Sequence, residues 1–260
     1  MANARSLDRL DKITRILLQR SAATIRDLAH ECGVSGWTIR RDLAVLEHQR
    51  LVRRYHGGVA LVTTSASTTP RAPGTALDET ALAARRAIGQ RAAELIEAGQ
   101  RVVIGAGTTT HEFARALKGR RHLWLFTNAL MIAFELADEP GLRVTCIGGE
   151  VHADYSTLTG PLAERVLRTQ HFDVAVIGVG GLTIREGLTV ESPLNAATLA
   201  IMLGQSARVI VVADRLKVGR VGFAQLAPLS SIHTLVTDKQ PPDDFSDALR
   251  DLGVELIVAL

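Results

Sequence analysis

Residues 35–46 read SGWTIRRDLAVL, and this stretch decides the fold of the amino-terminal part of the chain. At 100° per residue, one side of a helix over this stretch is apolar and consists of Ile39, Leu43 and Leu46. The opposite side carries the adjacent Arg40 and Arg41. A helix of this kind often has only a solvated charged face, but two neighbouring arginines also suit a partner with many anionic oxygens, such as a nucleic-acid backbone.

The flanking residues favour a helix-turn-helix. Residues 24–27 (TIRD) have capping-box spacing and predict the start of a short helix. Gly33 suits a left-handed exit from that helix, and Ser35 suits the N-cap of the next one. A third amphipathic helix over residues 7–17 completes a small core.

A basic hairpin follows the proposed recognition helix. Residues 51–55 (LVRRY) and 59–62 (VALV) flank His56-Gly57-Gly58 and predict two strands joined at a glycine turn. Together with the three helices, this hairpin favours a winged helix-turn-helix over a merely solvated helix.

Charge is distributed unevenly along the chain. The 260 residues carry a net charge of +3. Residues 1–60 hold eleven Lys or Arg against six Asp or Glu, so the basic excess lies in the first quarter. Such asymmetry indicates a nucleic-acid-binding module joined to another domain. The two cysteines, Cys32 and Cys146, form no metal motif, and the polar start and absence of a long apolar run predict a cytoplasmic protein without membrane spans.

The rest of the chain predicts a separate α/β domain. Residues 63–75 are rich in Ser, Thr, Pro and Gly, as linkers are. After them, apolar strands alternate with helices, which is typical of a parallel sheet covered on both faces. We expect helices near residues 82–98, 108–117, 130–137, 162–168, 194–207 and 245–252, and strands near 101–104, 123–126, 143–147, 172–179, 208–213, 232–237 and 254–258. The expected domains are residues 1–62 and 78–260, joined by a linker over 63–77.

Ligands of open α/β sheets bind beyond the carboxyl ends of the strands. The residues there include glycines, hydroxyls and one lysine, and glycines before a helix let its free amides approach an anion. The candidate effector-binding residues are Gly105, Gly107, Thr108, Thr109, Thr110, Thr127, Asn128, Gly148, Gly149, Gly180, Asp214 and Lys217. Glycines at strand ends are also ordinary turn residues, so any single loop is weak evidence.

Several other chemistries find no support in the sequence. The segments GAGTTT and GVGGLT have Thr in place of the third glycine of a dinucleotide fingerprint, and no P-loop motif occurs. The histidines lack metal-ligand spacing, and no paired-carboxylate site is evident. We therefore expect no catalytic residues, no metal and no cofactor.

Taken in order, these residues resemble bacterial transcription regulators of the DeoR family. In the first part the resemblance is carried by Val34-Ser35, by residues 38–43 (TIRRDL) and by residues 54–58 (RYHGG). In the second part it is carried by Gly107–Thr110, Thr127-Asn128, Gly148-Gly149, Gly160, Gly187–Thr189, Ala213-Asp214, Lys217–Gly219 and Thr237-Asp238.

The resemblance implies a winged helix-turn-helix joined to a sensor domain similar in fold to ribose-5-phosphate isomerases. It also implies regulation of carbohydrate catabolism, often by repression, by homo-oligomers that sense phosphorylated sugars. Two departures stand out. Family members usually have an acidic residue at the position of Gly105 and a basic residue near Thr198, and these departures weaken the expectation of a standard sugar phosphate. The expected effector is a small anionic metabolite, either a phosphorylated sugar or a sugar-acid-like compound.

The favoured hypothesis is a DNA-binding regulator, not an enzyme, that binds double-stranded operator DNA as a homo-oligomer. The candidate DNA-binding residues are Ser35, Trp37, Thr38, Arg40, Arg41, Arg53, Arg54 and His56. Contacts to bases and to phosphates are not separable from the sequence. One alternative is a sugar-phosphate isomerase with a basic extension. A weaker alternative is an RNA-binding regulator, which the 4% aromatic content disfavours.

Overall fold

The computed structural model describes residues 9–10, 12–14, 16–17, 22–36, 38–39, 42–43, 46, 52–55, 58–61, 76–152 and 157–260. The chain divides into two compact units, Met1–Glu79 and Thr80–Leu260. The linker predicted over residues 63–77 lies outside the described residues up to residue 75. No helix in the described ranges is long and apolar enough to cross a membrane.

The first unit contains helical turns and a small antiparallel sheet. The described residues among 9–17 and 36–46 are helical. The complete elements are β1 (Ala22–Thr24), α1 (Ile25–Cys32), β2 (Val52–Tyr55) and β3 (Gly58–Leu61). The Thr24 hydroxyl accepts a hydrogen bond from the Asp27 amide at 3.1 Å, and Gly33 ends α1 with φ 65°. Both helix boundaries predicted from the sequence are confirmed.

Apolar side chains from all three helical segments share one core. Its fully buried members are Ile13, Leu17, Leu28, Ile39, Leu43 and Val59. The inward face predicted for the stretch 35–46 is therefore confirmed, since Leu46 is also buried. Burying this face holds the helix in place and leaves its other side free to carry charge.

The predicted hairpin is present, and a third strand extends it. Strands β2 and β3 pair antiparallel with Tyr55 opposite Gly58, so residues 56–57 connect them. Strand β1 pairs antiparallel with β3. Strand β1 is absent from the predicted elements, because three residues are too few to display a period of two.

The second unit is built on helices and strands that alternate along the chain. Its α-helices are α2 (Ala76–Ala93), which begins four residues before the unit boundary, α3 (Thr108–Ala116), α4 (Leu130–Leu136), α5 (Pro161–Arg168), α6 (Pro193–Gly204) and α7 (Asp243–Asp251). Its strands are β4 (Arg101–Ile104), β5 (Leu123–Thr127), β6 (Leu142–Cys146), β7 (Glu150–His152), β8 (Thr157–Thr159), β9 (Phe172–Gly178), β10 (Gly181–Thr183), β11 (Gly187–Val190), β12 (Ser206–Val212), β13 (Ala224–Ala227), β14 (Thr234–Thr237) and β15 (Glu255–Val258).

Seven parallel strands form the central sheet in the order β15-β14-β12-β9-β4-β5-β6. From β4 the chain first adds β5 and β6 on one side and later adds β9 and β12 on the other. The strand order therefore reverses between β4 and β9, which creates a crevice at their carboxyl ends. Apolar clusters cover both faces of the sheet, as the continuous apolar strands predicted.

Three features differ from the predicted elements. The helix expected over 82–98 is α2 and ends at Ala93, and the helix expected to reach Ala207 ends at Gly204. Ser206 instead begins β12, where it pairs with Phe172 of β9. The antiparallel pair β7–β8 and the antiparallel sheet β10-β11-β13 were not predicted. Their strands have three or four residues each, which is too short for a clear alternation of polar and apolar positions.

Candidate functional site

The amino-terminal unit positions the start of its basic helix with a side-chain cap. The Ser35 hydroxyl accepts a hydrogen bond from the Thr38 amide at 3.2 Å, and the two hydroxyl oxygens lie 2.9 Å apart. This cap satisfies an amide that the helix itself leaves unpaired. Ser35 and Thr38 are thus held at the exposed beginning of the helix, where recognition helices approach DNA.

The other candidate DNA-binding residues are only partly covered by the structure. Arg53 and Arg54 lie in β2, opposite Ala60 and Val59 of β3. The remaining candidates lie outside the described residues and are Trp37, Arg40, Arg41 and His56.

An ion pair that the sequence did not indicate joins the first helical segment to the basic helix. Arg9 donates two hydrogen bonds to the Asp42 carboxylate, at 2.5 and 3.1 Å. Asp42 is almost fully buried, so water has little access to the carboxylate of this ion pair. Asp42 directly follows Arg41 in the chain, and anchoring it fixes the rotation of the basic helix about its axis. The two residues are 33 positions apart, too far for any helical spacing rule to link them.

In the second unit, the candidate effector residues follow five neighbouring strands at one edge of the sheet. In spatial order these strands are β6, β5, β4, β9 and β12. Their loops carry Gly148-Gly149, Thr127-Asn128, Gly105–Thr110, Gly180 and Asp214–Lys217. Parallel strands end at the same edge, so the predicted residues share one side of the sheet. The outermost loops, after β6 and β12, are each two strands away from β4.

The loop after β4 is held by hydrogen bonds from its neighbours. The Gly105 amide donates to the Val176 carbonyl at 3.0 Å, and the Ala106 amide donates to the side-chain oxygen of Asn128 at 3.0 Å. The Thr110 hydroxyl donates to the Gly107 carbonyl at 3.0 Å. These contacts fix the loop that leads into α3, whose first turn has no side-chain cap.

The predicted threonines differ in accessibility. Thr110 and Thr127 are fully buried, and the Thr127 hydroxyl donates to the Ile104 carbonyl at 2.8 Å. Both side chains therefore lie buried beneath the loops, and their hydroxyls bond to backbone carbonyls. Gly107 is exposed and Thr108 is half-buried. The amides at the start of α3 lack acceptors inside the helix, so this loop presents the most available donors to an anion.

Three predicted glycines allow close packing or an unusual backbone. A Cβ on Gly149 would lie 2.7 Å from the Thr159 carbonyl oxygen, so a side chain there would push β8 away. A Cβ on Gly180 would lie 3.2 Å from the Thr189 carbonyl oxygen. Gly148 has φ 76° and open space around it. Packing explains Gly180, and packing together with a φ of 124° explains Gly149, whereas Gly148 is half-buried and a Cβ there would meet no neighbouring atom.

Gly105 is the position at which the resemblance implies an acidic residue, and the structure fills that space with apolar atoms. A Cβ on Gly105 would lie 2.7 Å from Leu199 Cδ2 and 3.3 Å from Ile177 Cγ2. Leu199 and Ile177 are fully buried. Thr198, where the resemblance implies a basic residue, is also buried, and its hydroxyl donates to the Leu194 carbonyl at 3.1 Å. Both departures are therefore accommodated in an uncharged core beneath the site.

Charged side chains gather around the end of β12. Asp214 is nearly buried, accepts a hydrogen bond from the Leu216 amide at 3.1 Å, and lies 3.7 Å from Arg85 Nε. Burial lowers the pKa of the half-buried Lys217, and the charge of Asp214 opposes that shift. In the part of the chain that the structure describes, Lys217 makes no ion pair. Its ammonium is thus partly desolvated and available to an anion.

Arg85 is a charged residue near this site that is absent from the predicted site residues. It lies in α2, far in sequence from Asp214, and its buried Nε has no hydrogen-bond partner among the described residues. A signal did exist: Arg85 stands three residues before Ile88 and seven before Ala92, so it falls on the inward stripe of the helix. An arginine on such a stripe indicates a buried partner or ligand.

Comparisons with known proteins agree with both units. A model described as "DeoR-like helix-turn-helix domain" matches residues 9–65, and one described as "DeoR C terminal sensor domain" matches residues 80–239. The HTH-type transcriptional repressor GlcR of Bacillus subtilis is 32% identical over 96% of this chain and 95% of its own length. The HTH-type transcriptional regulator GlpR of Haloferax volcanii is 32% identical over 96% of each chain.

Solved structures give a more distant likeness. A ribose 5-phosphate isomerase from Methanocaldococcus jannaschii is 14% identical, with a TM-score of 0.39, over 54% of this chain and 55% of its own. RipA from Yersinia pestis is 13% identical, with a TM-score of 0.43, over 71% of this chain and 54% of its own. Likeness at this level carries no inference about function.

A helix-turn-helix unit followed by an α/β sensor domain defines a ligand-responsive DNA-binding regulator. The chain belongs to the DeoR family. Its fold class and its function in transcription regulation are those predicted from the sequence, and the family is regulatory rather than enzymatic.

Proposed function

We propose that this protein represses a carbohydrate or related catabolic operon and that a small anionic metabolite, bound at the carboxyl edge of the central sheet, controls its affinity for operator DNA. The observation that supports this effector site is the half-buried Lys217, which has no ion-pair partner among the described residues. It is close enough to Arg85 and Asp214 to interact with their charges. A phosphate or carboxylate would supply the missing negative charge.

For the DNA-binding unit, we infer that Arg40 and Arg41 face the major groove, with Trp37 and Thr38 near the start of the helix. Arg53, Arg54 and His56 would contact phosphates from the hairpin. The Ser35 cap and the buried Asp42 support this arrangement, because they position the helix that carries the two arginines. We keep the proposed boundaries of 1–62 for this unit and 78–260 for the sensor, and the linker proposed over 63–77 includes the first two residues of α2.

We propose a homo-oligomer formed through the sensor domain, located in the cytoplasm with its DNA. Effector binding would favour one arrangement of the DNA-binding units over another, with a change in operator affinity of about 5–150-fold. The relative from Bacillus subtilis is named a repressor, which supports repression, and the relative from Haloferax volcanii is named a regulator.

A ligand screen tests the effector site. Thermal shift of the full chain is measured against phosphorylated sugars and sugar acids, and the effective compounds are repeated with Lys217→Gln and with Lys239→Gln. Lys239 is an exposed lysine and serves as the control for loss of one charge. We expect Lys217→Gln to lose the shift and Lys239→Gln to retain it. An unchanged shift in Lys217→Gln would place the effector elsewhere.

A gel-shift series tests the DNA-binding unit. The double variant Arg40→Ala/Arg41→Ala should lose detectable operator binding, and wild-type binding should weaken steeply as potassium chloride is raised. The control Arg165→Ala/Arg168→Ala removes the same charge from exposed positions of α5. If both double variants bind as the wild type does, the predicted recognition helix does not contact DNA.

A further inference from the structure

A cavity lined in part by basic side chains lies at the opposite edge of the central sheet from the effector loops. It has a volume of about 400 Å³ and is formed where β5 and β6 begin, with Arg121, His122, Gly141 and Arg143 among its lining residues. Because the strands are parallel, this amino edge is remote from the loops that carry Lys217 and Gly107. The volume falls within the usual range for small-molecule sites, about 300–1,000 Å³.

The two loops that form the cavity are fastened to each other. The His122 amide donates to the Gly141 carbonyl at 2.9 Å, and the Gly99 amide donates to the His122 carbonyl at 2.6 Å. Gly141 permits this approach, because a Cβ there would lie 2.2 Å from the Arg120 carbonyl oxygen. The cavity is therefore a fixed feature of the loops and not a chance gap between side chains.

His122 holds an unfavourable backbone conformation. Its φ is 63°, and among the described residues it is the non-glycine residue with a positive φ. The nearby Gly99 and Gly119 have φ of 90° and 77°, so local turns here readily use glycine for this conformation. Strain of this kind persists where the surroundings impose it and is frequent at ligand sites. This conformation places the His122 side chain at the cavity, between Arg121 and the start of β5.

Two arginines beside His122 have no acidic partner in the described part of the chain, and these are Arg121 and Arg143. By contrast, the neighbouring Arg101 pairs with Asp173 at 2.8 Å. The Arg143 guanidinium lies 4.0 Å from the centre of the Trp124 ring, which restrains it by a cation–π contact. Arg121, His122 and Arg143 are all exposed to solvent.

We propose that this cavity binds a small oxyanion, a phosphate or a carboxylate, between Arg121, His122 and Arg143, at a site separate from the effector edge. Guanidinium groups bind such oxygens through paired hydrogen bonds, and restraint of Arg143 by Trp124 lowers the entropy lost on binding. A cavity of about 400 Å³ has room for a small molecule that carries such an oxyanion.

Fluorescence of Trp124 provides the test. The chain has two tryptophans, so Trp37→Phe leaves Trp124 as the only one in the full-length protein. The emission of Trp124 is followed as inorganic phosphate is added, and sodium chloride at equal ionic strength serves as the control. We expect a saturable change with phosphate alone, shifted at least about tenfold to higher concentration by Arg121→Gln and unchanged by Lys217→Gln; tenfold corresponds to about 1.4 kcal/mol.

Three outcomes would overturn the proposal. Phosphate and chloride could act alike, or Lys217→Gln could abolish the response while Arg121→Gln retains it, which would place the anion at the other edge. A short DNA duplex could also change Trp124 emission where phosphate does not, which would indicate a nucleic-acid surface. Calorimetric titration with phosphate gives a second readout for Arg143→Gln, since that change alters Trp124 emission directly.

Two substitutions of His122 distinguish its backbone strain from its contribution to phosphate binding. His122→Gly should raise the thermal midpoint, because glycine adopts this backbone conformation freely, and should weaken phosphate binding. His122→Asn, which tolerates the same conformation, should weaken binding without the imidazole. If both variants bind phosphate as the wild type does, His122 is not part of an anion site and the assignment fails.

Discussion

Replacing Gly105 by alanine places a methyl group against a buried leucine. The added Cβ would lie 2.7 Å from Leu199 Cδ2, about 1 Å inside normal carbon–carbon contact. Overpacking of this kind costs about 1–3 kcal/mol, and Leu199→Ala alone costs about 2–5 kcal/mol by leaving a cavity. In the double variant the new methyl group occupies part of that cavity. The combined loss should be smaller than the sum by about 0.5–3 kcal/mol.

Urea denaturation of the Trp37→Phe protein measures these losses, because Trp124 lies in β5 and reports on the sensor sheet. Gly204→Ala is the matched control: Gly204 ends α6, and a Cβ there meets nothing within 4 Å. Its stability should stay the same or rise by about 0.5–1 kcal/mol. If the losses from Gly105→Ala and Leu199→Ala simply add, Leu199 does not fill the space beside Gly105 and the packing argument is wrong.

Two further predictions concern charged pairs. Asp42→Asn should destabilise the amino-terminal unit by about 3–5 kcal/mol, because it leaves the Arg9 guanidinium without its nearly buried partner. Thermal unfolding of this variant is compared with that of Arg9→Gln/Asp42→Asn. Equal stability of the single and double variants would contradict the prediction. Glu135 has a pKa of about 2, lowered mainly by its hydrogen bond from Lys118, so its stabilising effect is present above about pH 4.5 and is lost as the pH falls towards 2. The stability difference between wild type and Glu135→Gln should therefore shrink over that interval, and a constant difference would refute the ion pair.

Much of the first unit could be predicted because its signals are local. The apolar spacing of Ile39 and Leu43 and the cap at Ser35 depend on residues three or four positions apart, which a helix brings together by its own geometry. The exit at Gly33 depends on a single residue that tolerates a positive φ. Such features require no knowledge of the distant chain.

The candidate effector edge was only partly predictable. Strand ends are readable from apolar runs, so the loops with Gly107 and Asp214 could be assigned to one edge. Arg85 and the packing of Leu199 against Gly105 could not, since these contacts join residues of α2 and α6 to loops far away in sequence. The supporting position of the buried Thr127 hydroxyl was likewise hidden, because a threonine at a strand end looks the same whether its hydroxyl is free or bonded.

The amino-acid sequence by itself determined the order of the helices and of the central-sheet strands, the basic amino-terminal unit and the glycine-rich loops, because periodicity, capping and charge act over a few neighbouring residues. Only the tertiary structure decided that Asp42 is anchored by Arg9, that Leu199 fills the space beside Gly105 and that Lys217 is left half-buried without an ion-pair partner among the described residues. Burial and pairing between distant segments depend on how the strands are ordered in the sheet, and that order arises only when the whole chain packs.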